Sequence, residues 1–366
     1  MFLSSLKLKN FRSFIDKKLQ FSARTTLIVG PNASGKTNIL EAVYLLSRGK
    51  SFRAGQTEEM INNNQEIANL YGQLDDSDQL TVVLTKGKLA EKKVSKKIYQ
   101  FNGVSKKWTD FAGNLRCVLF RPEDFNIILG PPSARRDYLD YVLEQIDWRY
   151  RSASLTYKKG LRRRNKLLEK IRKGQASRSQ LTFWNQLLIK NGGVLTLKRE
   201  ELIDSFNQFF NQENQLLTNK KIARIGKIKI FYNKNPISKE RLEKSASSEL
   251  AAGMTLVGPQ RDEIVFKAQR QPDSQEQDLS LYGSRGEQRM VILTLKLAEL
   301  DFIYQQINDQ PVLLLDDIFS ELDQDNRNQI LKIIPRQQTI ITTTEVSLIN
   351  KSLRDKIKII NFPRRE

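Results

Sequence analysis

The sequence of 366 residues holds no histidine and one cysteine, Cys117. Without imidazole there is no histidine proton shuttle, no Ser-His or Cys-His nucleophile pair and no histidine metal ligand, so catalysis must rest on carboxylates, lysine and a metal ion. A single cysteine excludes a disulfide framework and a cysteine-rich zinc site. Long apolar runs are missing too. Nothing approaches the ~18 residues of a membrane span, and Met1 to Phe14 alternates polar and apolar positions where a signal peptide would carry an unbroken apolar stretch. These features lead us to expect a cytoplasmic protein with no membrane partner. Acidic residues are also scarce, 41 against 61 lysines and arginines, which leaves a formal net charge of +20. That balance points to a polyanionic partner, with nucleic acid ahead of a membrane surface.

What is present begins with Gly30-Pro31-Asn32-Ala33-Ser34-Gly35-Lys36-Thr37, a G-x-x-x-x-G-K-[ST] loop after the apolar run Thr26-Leu27-Ile28-Val29. Glycines let the loop curl so that backbone N–H groups converge on phosphate oxygens, Lys36 offsets their charge and the Thr37 hydroxyl suits Mg²⁺. A glycine turn with an incidental lysine is the plainer alternative. Against it, Ile39, Leu40, Val43 and Leu46 continue at helical spacing, which is the context the motif requires. ATP and Mg²⁺ are therefore the expected cofactors.

Strands are expected over Leu3 to Phe11, near Leu19 to Phe21, and at Ile67 to Leu74, Leu80 to Thr85 and Lys97 to Phe101, the last closing in the turn Asn102-Gly103. This reads as an antiparallel β patch appended to a parallel sheet. Lys86, Lys88, Lys92, Lys93, Lys96, Lys97, Lys106 and Lys107 crowd this region, as a phosphate-backbone surface or as lysines that protect a strand edge. Past Gly130 the pattern turns helical for about a hundred residues. The expected segments are 1–130, an N-terminal ATPase lobe; 131–250, an inserted helical arm; and 251–366, a C-terminal lobe. One arm helix carries Lys159, Arg162, Arg163, Lys166 and Lys170 largely away from its apolar face, a candidate DNA contact or a solvated stripe. Phe183, Trp184, Phe206, Phe209 and Phe210 are read as core.

Pro311-Val312-Leu313-Leu314-Leu315-Asp316-Asp317 reads as a buried parallel strand ending in two carboxylates, a Walker B element. Asp316 is placed to hold Mg²⁺, and Asp317 to orient the attacking water. Upstream, Ser284-Arg285-Gly286-Glu287-Gln288 could be an ordinary capping box. Its place before the Walker B strand, with Ser320-Glu321-Leu322-Asp323 after it, resembles the ATP-binding-cassette order of signature, Walker B and D-loop.

Over essentially its whole length the chain resembles the RecF family of recombination mediators, relatives of the SMC ATPase heads. The landmarks are Leu6-Lys7-Leu8-Lys9-Asn10-Phe11-Arg12, the phosphate loop, Lys50-Ser51-Phe52-Arg53, Phe120-Arg121-Pro122-Glu123-Asp124, Gly258-Pro259-Gln260-Arg261-Asp262 and Leu315 through Asp323. Gln260 departs from the family's usual histidine and Glu263 from a common aspartate, and the strand Gln338 to Thr344 lacks the histidine of transporter cassettes.

The resemblance implies an α/β fold, an ABC-type ATPase head with an inserted helical arm. Lys36, Asp316 and Asp317 would be catalytic and Thr37 and Asp316 would hold the metal. Nucleotide would contact residues 30–37, Asn38, Arg12, Ser284, Gly286, Gln288 and Asp323. It further implies an ATP-dependent homodimer, a nucleoid-associated place, binding to double-stranded and gapped DNA, and RecR, with RecO, as partners that promote RecA loading. A long SMC-type coiled coil is excluded because no extended heptad tract separates Lys36 from Asp316. A head-only ATPase serving as a DNA clamp remains the alternative.

Overall fold

Alternating and fully apolar segments of the termini fold into two sheets of different character. The computed structural model describes residues 2–75, 77–89, 92–216, 226–270, 275–320, 324–348, 354 and 357–363. Strands β1 (Leu3–Phe11), β2 (Phe14–Gln20), β4 (Ile67–Leu74), β5 (Asp78–Thr85), β6 (Lys97–Phe101) and β7 (Val104–Lys106) form an antiparallel sheet in the order β2-β1-β4-β5-β6-β7. Asn102 and Gly103, both at positive φ (50° and 75°), close β6 onto β7 as the Asn-Gly pair predicts. β3 (Thr25–Val29) joins β8 (Cys117–Phe120), β11 (Val312–Asp316), β12 (Thr339–Thr343) and β13 (Lys358–Asn361) in a parallel sheet ordered β8-β11-β12-β3-β13. Its central strands are buried on both faces, hence their apolar or β-branched composition up to Asp316 at the end of β11.

Helix α1 (Lys36–Arg48) follows the phosphate loop and packs against strands of both sheets. Ile39, Leu40, Val43 and Leu46 are buried as their spacing predicts, and so are Glu41, Tyr44 and Ser47. A helix covered by a sheet on each side shows no solvent face.

By compactness the chain divides into Met1–Asp124 with Ile303–Glu366, and Phe125–Phe302. The first cut lies near the boundary expected at 130, and the second lies past 250 because residues 251–302 are tied into the helical unit. There, β9 (Lys227–Asn233) pairs along its length with β10 (Glu263–Gln269), and Arg199 donates to Asp262 at 2.8 Å. This second unit also contains α2 (Pro132–Ile146), α3 (Trp148–Arg172), α4 (Leu181–Leu216) and α5 (Lys239–Ala252). Proline at the first turn starts α2, Asp147 caps α3 and Ser238 caps α5. Helix α6 (Arg285–Ile307) leads on to β11. Phe206 and Phe210 are buried as expected, whereas Phe183 is 62% exposed and stacks edge-on against Trp184. Its helical spacing matched a core stripe, but among the described residues no element covers it in the first turn of α4.

Candidate nucleotide site

The loop between β3 and α1 owes its shape to a few backbone positions. Gly35 caps α1 at φ 99°, and Ala33 also sits in the left-handed region, at φ 63°. A side chain at Gly30 would meet the Phe362 carbonyl at 2.6 Å, so only glycine fits beside the strand end of β13. Asn32 and Ala33 form the exposed crest of the loop, and Ser34 lies buried beneath it. The Lys36 ammonium donates to the carbonyls of Gly30 at 2.7 Å and Pro31 at 2.9 Å. Burial lowers its pKa, and the nearby Asp317 and Asp316 partly oppose that shift.

The parallel register brings the carboxylates at the end of β11 to this loop. Asp316 stands opposite Thr342, and its Oδ1 accepts from Thr37 Oγ1 at 3.0 Å and from Thr342 Oγ1 at 2.7 Å. Burial raises the Asp316 pKa, the two threonine bonds oppose the rise, Glu123 adds to it and Arg53 counters it. Asp317 turns out of the strand at φ 49°, and its backbone N–H donates to Thr342 Oγ1 at 3.1 Å. One hydroxyl therefore ties together the two acidic residues. The sequence marks the strand of Thr342 by its missing histidine and by threonine hydroxyls able to hydrogen-bond near a phosphate; nothing local signals that Thr342 lies beside Asp316.

Two expected nucleotide residues have other visible duties. Asn38 donates to Ser13 Oγ at 2.9 Å and accepts from Arg53 at 3.2 Å. Arg12 engages the buried Glu41 carboxylate through Nε (2.9 Å) and Nη2 (2.6 Å), and its Nη1 donates to the Glu59 carbonyl at 2.6 Å. It thus clamps the β1–β2 turn to α1. Glu41, which sequence reading missed, also accepts from Ser51 at 2.5 Å.

In the second unit, Ser284 and Glu287 form the reciprocal capping box. The Ser284 N–H donates to Glu287 Oε2 at 2.7 Å and the Glu287 N–H to Ser284 Oγ at 3.3 Å. Ser284, Arg285 and Gly286 are exposed at the start of α6. Gln288 is not on that exposed face. It is buried, and its amide donates to the carbonyls of Leu279 (2.9 Å) and Gly283 (3.1 Å), holding the preceding turn. Asp323 lies outside the described residues. Lys159, Arg162, Arg163, Lys166 and Lys170 are all exposed on α3, but Arg164 is buried against Glu249 and Lys158 is held by Asp140 and Glu144.

The donor set suits a triphosphate with magnesium. Ser34 Oγ is buried with no hydrogen-bond partner among the described residues. Lys36 rests on carbonyls that it can exchange for phosphate, and Thr37 with Asp316 presents the hard oxygen donors that Mg²⁺ prefers.

The RecF/RecN/SMC N terminal domain family matches residues 2–364. The chain belongs to the RecF family. This RecF-family chain is 36% identical over 351 residues to the DNA replication and repair protein RecF of Lachnoclostridium phytofermentans, across 94% of this chain and 93% of that one. To RecF of Bacillus cytotoxicus it is 32% identical, across 99% and 96% of the two chains. The structure of the recombination mediator protein RecF with ATP, in the RecFOR pathway, superposes with a TM-score of 0.84 at 30% identity, covering 95% of this chain and 93% of that one. A SmcHead bound to the C-winged helix domain of ScpA gives a TM-score of 0.53 at 17% identity over 100% and 95% of the two chains, a likeness of fold alone. The RecF-family fold is an α/β ABC-type ATPase head with a helical unit inserted in sequence. Among the described residues no helix is long and apolar enough to cross a membrane.

Proposed function

We propose that this RecF-family protein is an ATP-dependent DNA-binding recombination mediator. In this reading it dimerises on ATP, binds duplex DNA at single-strand gaps in the cytoplasm and works with RecR and RecO to promote RecA loading. The observation that carries the nucleotide part is the 3.0 Å contact between Thr37 Oγ1 and Asp316 Oδ1, which joins phosphate loop and Walker B strand across the parallel sheet. Lys36 binds phosphate oxygens, Thr37 and Asp316 hold magnesium, and Asp317 orients the attacking water. Bound magnesium supplies charge neutralisation for the transferred phosphoryl group. The exposed Ser284 and Gly286 of a second copy offer a helix N-terminus to the same phosphates. The relatives' names and the net charge of +20 support the DNA part.

Hydrolysis is slow on this reading and DNA stimulates it, so it times the lifetime of the complex. Asp317 is one methylene shorter than the glutamate of transporter cassettes, and a misplacement of that order costs roughly 10²-fold in rate. Nucleotide binding, sedimentation with and without ATP, and phosphate release with and without gapped duplex test the scheme together. Lys36→Met should lose ATP binding. Ser284→Arg should keep it and stay monomeric, and Asp317→Asn should keep it and release no phosphate. Identical failure of the first two variants would sink the composite site. A wild type that releases no phosphate even with DNA would leave a nucleotide-gated clamp.

A further inference from the structure

Between β5 and β6 the chain leaves the antiparallel sheet and forms a small ladder of its own, in which Lys88 pairs with Lys93 and Leu89 with Lys92. Lys88, Lys92 and Lys93 are exposed on it, and Lys86 is exposed just before it. The other lysines of this region have duties of their own. Lys96 meets Glu58 at 2.5 Å, and Lys97 donates to the Gly49 carbonyl at 3.0 Å, at the C-terminal end of α1. Lys106 lies on the edge strand β7, with Lys107 just after it, where lysine guards a sheet edge. Edge protection does not explain the three on the ladder, Lys88, Lys92 and Lys93. β5 and β6 pair with each other inside the six-stranded sheet, whose edges are β2 and β7, and a two-pair ladder is too short to template another strand. The register instead sets two like charges directly opposite each other, an arrangement that costs stability unless an anion lies across it. Glu91, between them in sequence, lies outside the described residues.

We infer that this basic finger is a contact for the phosphate backbone of duplex DNA, separate from the α3 stripe and rooted at the far end of the phosphate-loop helix. Its root is firm. The Thr85 N–H donates to the Lys96 carbonyl at 2.9 Å, Thr85 Oγ1 to the Ser95 carbonyl at 2.9 Å, and the Val94 N–H to the Gly87 carbonyl at 3.1 Å. The partner is a regular array of phosphates, recognised by charge and not by sequence. The inference rests on the proposed DNA-binding function.

Neutralising the pair separates a ligand contact from a structural one. Lys88→Gln with Lys93→Gln removes the repulsion, so the melting temperature should hold or rise while duplex affinity falls. Fluorescence anisotropy on the full chain with ATP and a labelled duplex of mixed sequence should show binding weakened about tenfold at low salt. The slope of log affinity against log salt should shrink by about 1.8, because two phosphates are no longer neutralised by lysine. Lys88→Glu, which turns the like pair into an opposite one, should leave the fold at least as stable and weaken binding further. Wild-type affinity and slope in both variants would overturn the finger, and if Arg162→Glu with Arg163→Glu then lowered binding the contact would belong to α3 alone. A wild type that binds no duplex at all would overturn the DNA-binding function, and the finger with it.

Discussion

The role proposed for Asp317 depends on its backbone. At φ 49° it occupies a region where aspartate and asparagine are several-fold enriched over longer side chains, so the shorter acid suits the turn that aims it. The Thr342 hydroxyl holds that turn by accepting from the Asp317 N–H and donating to Asp316. Thr342→Val keeps the shape and deletes the hydroxyl. It should lower kcat about tenfold, the effect of one lost buried hydrogen bond. Nucleotide affinity without magnesium should be unchanged and the magnesium concentration for half-maximal binding raised, while Thr342→Ser restores both. Equal kcat and magnesium dependence in Thr342→Val would show that the bond is incidental. Thr37 and Asp316, which meet at 3.0 Å, could be proposed as partners from the sequence because each sits in a contiguous motif. Thr342 and Glu41 could not be, since the first depends on which strands become neighbours and the second on a turn, at Arg12, that folds back onto α1.

At the scale of elements, α2, α3, α4 and the loop before β10 meet in a buried polar network within the helical unit. Arg199 donates to Asp140 and Asp262 at 2.8 Å each, Tyr232 donates to Asp262 at 2.6 Å, and Tyr150 donates to Asp140. Gln260 accepts from Tyr157 and donates to the Val257 carbonyl at 2.9 Å. The loop that carries Gln260 is thus a structural joint, and an amide that cannot titrate serves there. Arg199→Met would strand two buried carboxylates and should destabilise the helical unit by about 3 to 5 kcal/mol, read by calorimetry. Burial alone would raise the pKa of Asp140, but Arg199 and Lys158 overcome it and hold the group below its usual range. A carboxylate lowered in the folded state gives stability that is present above its unfolded pKa near 4 and is lost as pH falls below it. Asp140→Asn should therefore flatten the acid limb of the melting curve. The helices themselves were legible from their spacing and caps. The exposure of Phe183 and the place of residues 251–302 were not, because periodicity records a stripe without saying what lies against it.

For the whole molecule, the net charge of +20 pointed to a polyanion but not to a surface, since Arg164 and Arg199 are buried in ion pairs, Lys97 is held by the Gly49 carbonyl and the exposed Lys158 is paired with Asp140. What the sequence could not show is the interleaving of the termini. β3, which delivers the phosphate loop, pairs on one side with Thr339–Thr343 and on the other with Lys358–Asn361. A variant ending at residue 357 loses the second neighbour, along with the Phe362 carbonyl packed on Gly30. It should fail to bind a fluorescent ATP analogue as completely as Lys36→Met, and retained binding would show that β13 is dispensable. On the ribosome the same pairing imposes a delay. The nucleotide strand emerges early with both edges open, and at about 5 to 20 residues per second it waits roughly a quarter of a minute to a minute for residue 361. Through that interval the nascent chain carries a Val- and Ile-bearing strand without neighbours, which makes this protein a natural client for chaperones that shield unpaired strand edges.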